Sequence, residues 1–187
     1  FAPLLLLDPR ALLDARWLDN PVAAWLTAAG IAGAAFGALV LVRRVLVKRL
    51  ERFAAHTHTP LDDLALGALR RTSKAFLLVV AVAAAARTTL ALPAHVRDGV
   101  ALVARIAFLL QAASWGNGAI GFWLARMTAQ RAATDRASLT TIAALGVLAR
   151  VVLWVLLFLL ALDAFGVNIT ALVTGLGIAG VAVALAV

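Results

Sequence analysis

The chain has 187 residues, 64% of them hydrophobic, 14% charged and none of them Cys, with a mean hydropathy of +1.01. Such a composition excludes a domain with an ordinary hydrated surface and describes an integral membrane protein, and the lack of Cys excludes disulfides, thiolate metal sites and cysteine nucleophiles. The formal charge of +8 points to anionic lipid rather than nucleic acid, because no basic stretch is interleaved with aromatic residues for base stacking.

A bilayer core needs about 20 apolar residues per helix, and five stretches qualify: 22–47, 75–92, 100–125, 143–163, and 168 to the end. The expected fold is an all-α membrane protein with five transmembrane helices. Residues 1–20 form a short N-terminal segment, with Trp17 and Trp25 placed as interfacial anchors and Asn20-Pro21 as the start of the first span. The opening Phe1 and the apolar end at Val187 are those expected of a fragment that continues on both sides.

Between the first two spans, Thr59 suits an N-cap, Pro60 the first helical position, and Asp62 and Asp63 the positive end of a helix dipole. Leu61, Leu64, Ala65, Ala68 and Leu69 then share a face, followed by Arg70, Arg71 and Lys74. A helix lying on the inner membrane surface and a solvated linker helix both fit this pattern. Basic residues collect in this connection, from Arg43 to Lys74, and again at Arg126, Arg131 and Arg136, whereas the alternate connections hold few. Positive charge stays on the cytoplasmic side, so the N-terminus is expected outside and the C-terminus inside.

Gly116, Gly118 and Gly121 in the third span permit close helix approach or a kink. Arg87, Arg105 and Arg150 fall inside apolar stretches, where a charge is costly; snorkelling and contact with lipid headgroups are both open to them. No carboxylate lies mid-membrane, as a proton-coupled transporter would need, and no span holds a His to act as base for Ser114. His56 and His58, without a nearby Cys or acid, make a poor metal site. No catalytic residue, metal or cofactor is expected.

After the fourth span, Gly166 suits a left-handed C′ position and Asn168 the next N-cap, which predicts two antiparallel helices side by side. Advancing 100° per residue puts Thr174, Ile178, Val181 and Leu185 of the last helix on one stripe. Gly177, Gly180 and Ala184 flank it on one side, and Ala171, Gly175, Ala182 and Ala186 on the other. Two small flanks let backbones approach on both sides. A contact of one flank with the opposite flank of a copy is heterologous and closes into a ring, leaving an apolar stripe around an axis, which gates by dewetting. Packing inside the chain's own bundle fits the same faces.

The run LDAFGVNITALVTGLGIAGVAVALAV, preceded by TDRASLTTIAALGVLARVVLWVLLFLLA, resembles the last two membrane helices of the small-conductance mechanosensitive channel (MscS-like) family. The resemblance covers Thr134 to Val187, and the spans ahead of it, with LDDLALGALRR between the first two, resemble the larger members with added N-terminal helices. It implies a homoheptameric ion channel opened by membrane tension, serving osmotic protection in a bacterial inner membrane and passing ions and small solutes. It implies three regions: a periplasmic segment 1–20, peripheral sensor helices 21–134 with an amphipathic cytoplasmic loop at about 50–74, and a core hairpin 135–187 holding the first part of the pore helix. A β-rich cytoplasmic domain is expected beyond Val187. By position, Val181 and Leu185 correspond to the pore constriction, Thr174 and Ile178 to further pore lining, and Gly177, Gly180, Ala182, Ala184 and Ala186 to helix packing. The sequence departs from the family pattern at Ile178, where Ala is favoured, at Ala184, where Gly is favoured, and at Thr174, which adds a hydroxyl near the outer mouth. The alternative is a multi-pass transporter or scaffold whose Gly and Ala faces serve packing alone.

Overall fold

The protein is described from a computed structural model, which covers residues 16–18, 20–54, 60–131 and 136–186. Among the described residues, six helices carry the fold: α1 (Val22–Ala54), α2 (Pro60–Arg71), α3 (Lys74–Thr89), α4 (Ala94–Arg131), α5 (Arg136–Ala164) and α6 (Thr170–Ala186). The chain divides into two compact units, Phe1–Ala119 and Ile120–Val187, with α4 running through the boundary. Among the described residues, three helices are long and apolar enough to cross a bilayer: Val22–Arg52, Ala94–Gln130 and Thr140–Ala164. The protein is therefore a multi-pass membrane protein, with three such spans where the composition suggested five.

The second expected span, 75–92, is the clearest difference. α3 is 16 residues long, about 24 Å at the usual rise of 1.5 Å per residue, against a hydrocarbon core of about 30 Å. It stops at Thr89 because Pro93 disfavours helical geometry at Leu92 and because the backbone of Ala91 is engaged elsewhere. The side-chain amide of Asn20 accepts from Ala91 N at 2.9 Å and donates to Ala91 O at 3.1 Å. Asn20 is itself buried and also donates to Leu18 O at 2.7 Å. It belongs to a small antiparallel pair absent from the sequence reading, β1 (Arg16–Trp17) and β2 (Asn20–Pro21), turned at Leu18 with φ of 51°.

The other end of α3 is held in the same manner. Gln111 of α4, the second buried polar residue among those described, accepts from Ser73 N at 2.9 Å and donates to Arg71 O at 3.2 Å. Ser73 caps α3 by accepting from Phe76 N at 3.0 Å. Trp115 Nε1 donates to Thr72 Oγ1 at 3.2 Å, and the rings of Phe76, Phe108 and Trp115 lie 6.1–6.4 Å apart, a spacing typical of favourable edge contacts. A backbone break inside or beside a membrane leaves N–H and C=O groups that only protein can satisfy, and these two amides each satisfy one donor and one acceptor.

Between the clamps, α3 packs on α1 through a seam of small residues. Leu77, Ala81 and Ala85 recur at helical spacing and are buried, as is Ala28 of α1. Alanines let the two backbones approach, which is how helices gain contact where lipid removes the hydrophobic drive. α2 also packs on α1. It begins at Pro60 with Asp62 and Asp63 in its first turn, as expected, while Thr59 lies outside the described residues. Arg43 of α1 closes the far end of α2, donating from Nε to Leu69 O at 3.0 Å and from Nη2 to Arg70 O at 2.9 Å. A guanidinium there meets the negative end of the helix dipole and its orphan carbonyls. Arg70 pairs with Glu51 at 2.6 Å on an exposed surface, where such a bridge contributes little.

The glycines of α4 divide. At Gly118 an added Cβ would stand 2.6 Å from Cδ and Nε of Arg71, so the missing side chain lets Arg71 lie across the helix, whereas Gly121 faces open space.

Candidate pore-helix hairpin

The second unit holds the end of α4, α5, and α6. α5 forms because residues 136–164 are rich in Ala, Leu and Val and contain no Pro. It approaches α4 at Gly146, where an added Cβ would overlap the side chain of Leu124. This close contact was not among the expected ones; its only signal in the sequence is the small-residue run Ala143, Ala144 and Gly146.

α5 ends in a Schellman arrangement. Val167 N donates to Leu162 O at 3.1 Å and Gly166 N to Asp163 O at 2.9 Å, with Gly166 at φ of +83°. That is the left-handed C′ glycine predicted from the sequence. Asn168 stands one position earlier than expected: its Oδ1 accepts from Thr170 N at 3.0 Å, while Ile169 O takes the first helical bond, from Val173 N at 2.9 Å. Asn168 still satisfies one orphan donor of α6.

The two helices do not pack side by side, contrary to the expectation for a tight turn. Every described side chain of α6 is exposed, including Ile178 at 69%, Val181 at 62% and Leu185 at 85%. The close approach that α5 makes at its glycine, Gly146, is to Leu124 of α4, not to α6. An added Cβ at Gly175, Gly177 or Gly180 would meet nothing within 4 Å. Ala182, Ala184 and Ala186 are exposed too. Because α6 is one unbroken helix from Thr170 to Ala186, Thr174, Ile178, Val181 and Leu185 share one stripe. Thr174 Oγ1 donates to Thr170 O at 2.8 Å, so its proton is spent inside the helix and the face it shares is less polar than its hydroxyl suggests.

The arginines of the apolar stretches lie outside this helix in sequence. Arg150 is exposed on α5 within a shallow groove of about 430 Å³ formed with Val147, Val151, Trp154, Val155 and Phe158. Arg105 and Arg87 are exposed on α4 and α3. Among the described residues no group of His, Cys, Asp and Glu is placed to hold a metal; His56 and His58 lie outside them.

The hairpin has a match among known families. The model described as mechanosensitive ion channel, transmembrane helices 2/3, covers residues 148–187. This stretch is similar to the membrane helices of that channel family. It takes in most of α5, the Gly166 turn and all of α6, and it begins later than the Thr134 suggested by the resemblance. The matched family is one of channels, not of enzymes. No curated protein and no solved structure matches the chain.

Proposed function

We propose that the chain is one subunit of a tension-opened ion channel in which identical copies, seven by resemblance, surround a pore lined by α6. The observation that carries this reading is that α6, within the stretch similar to a channel family, has Gly175, Gly177 and Gly180 facing open space on two flanks and an apolar stripe between them. A helix in lipid gains nothing from apolar area alone, because lipid tails are as apolar as Leu; it gains from close packing through small residues. Two small flanks supply that packing to two neighbours. Val181 and Leu185 then form the constriction, with Thr174 and Ile178 above them. The bare glycines favour this over a transporter or scaffold that uses the same faces within one chain.

In this reading the five expected spans remain, α3 crossing together with the extended Leu90–Leu92 segment. Residues 21–134 form the sensor and 135–187 the core hairpin, with the N-terminus periplasmic and the C-terminus cytoplasmic in a bacterial inner membrane. Tension selects the state of larger in-plane area, since it shifts an equilibrium only by its differential effect on the two states. Arg150 and Arg105 contact lipid headgroups by snorkelling.

The test is patch clamp of membrane patches under suction. Val181→Ser and Leu185→Ser are each expected to wet the constriction and lower the opening tension. Currents unchanged in both variants would remove these residues from the gate, and a monomeric or dimeric protein without stretch-activated current would favour the scaffold.

A further inference from the structure

The corner between α3 and α4 encloses a cavity of about 190 Å³, the liquid volume of about six waters, and two of the residues that line it are Arg87 and Arg97. Leu90, Leu92 and Val100 supply apolar wall, and Ala91 adds backbone held in place by its two bonds to Asn20. Neither guanidinium forms a hydrogen bond or ion pair among the described residues, and no carboxylate lines the cavity. His95 is exposed in the first turn of α4 and Asp98 is exposed just after it.

The two arginines reach this place for opposite reasons. Arg87 is in the last turn of α3, where the helix dipole favours a cation. Arg97 is in the first turn of α4, where the dipole disfavours a cation and a bound anion offsets that effect. Two arginines bordering a small recess with an apolar wall suit a tetrahedral oxyanion carrying an aliphatic substituent, because guanidinium binds phosphate bidentately.

We propose that this corner is a binding site for a phosphate group, held between Arg87 and Arg97. The recess has room for phosphate oxygens and the first carbons of an ester, so a phospholipid headgroup and a soluble phosphate are the two sources of the same chemistry. The site is independent of the pore reading, since it involves no residue of α5 or α6.

The experiment is calorimetric titration of the purified full chain in neutral detergent with short-chain phosphatidylglycerol and, separately, with inorganic phosphate. Binding of phosphatidylglycerol that inorganic phosphate does not displace identifies the lipid headgroup as ligand; binding of inorganic phosphate alone, with displacement, identifies the soluble anion. Arg87→Gln and Arg97→Gln are each expected to weaken binding about tenfold, and the double variant about a hundredfold. Arg126→Gln, on the part of α4 beyond the first unit, is expected to change nothing. Should the double Gln variant fail to fold, the double Arg87→Lys, Arg97→Lys variant keeps the charge, removes the forks and is expected to lose about tenfold. The proposal is overturned if the wild-type chain binds neither ligand, if a folded double variant binds as the wild type does, or if Arg126→Gln weakens binding equally.

Discussion

The two units solve the membrane's packing problem in opposite ways. In the first, α1, α2, α3 and α4 are tied by side chains of the same chain: Asn20 and Gln111 clamp the two ends of α3, Arg43 closes α2, and an alanine seam joins α1 to α3. In the second, α6 leaves every described side chain exposed and three glycines facing open space. Small residues therefore carry two meanings in one molecule. Ala81 and Ala85, 1% and 2% exposed, are small because a neighbour in the chain is close; Gly177 and Gly180 are small with no such neighbour.

The contrast is broken most sharply by one substitution made at two glycines. Gly146→Leu is expected to disrupt the hairpin unit of a single chain, since Leu124 already occupies the space and overpacking costs about 1–3 kcal/mol or more. Gly177→Leu is expected to leave that unit folded and to abolish oligomer formation. Thermal unfolding in detergent followed by sizing of the solubilised protein separates the two; an intact heptamer from Gly177→Leu and Gly180→Leu alike would count against flank packing.

A smaller effect sharpens the account of the first unit. Gln111→Leu keeps the bulk of the side chain but strands Ser73 N and Arg71 O, so a loss of about 2 kcal/mol is expected in denaturant titration. Hydrogen exchange at Ser73 should rise with it. A variant as stable as the parent would mean that water or lipid headgroups satisfy the break, and the clamp would not distinguish the two units.

The smallest change falls at the turn. Gly166→Ala forces a Cβ into the left-handed region and is expected to cost about 1 kcal/mol, read as a lower unfolding midpoint of the hairpin. Because nothing stands within 4 Å of that position, the loss is a backbone effect. An unchanged midpoint would mean that the turn relaxes.

Much of this protein is local and so is legible in order along the chain. Periodicity, the Gly166 stop and the Pro60 start each depend on a few neighbouring residues, and so does the stripe Thr174, Ile178, Val181 and Leu185, which needs only that α6 be helical. Within the apolar run 75–92 the helix ends at Thr89, which hydropathy does not register because it counts side chains and is blind to backbone. Leu90 to Leu92 are apolar, yet Pro93 next in sequence and Asn20 far away in sequence take that segment out of the helix.

What the tertiary structure alone decided is which polar groups meet. Asn20, Gln111 and Arg43 carry no motif, and their partners lie at sequence distances that no local pattern encodes; directional bonds between distant backbone breaks exist only once the helices are packed. For α6 the converse holds. Its faces follow from the order of its residues, but that they stay uncovered depends on which helices of the chain reach them, and none of the described ones does: an added Cβ at Gly175, Gly177 or Gly180 meets nothing within 4 Å.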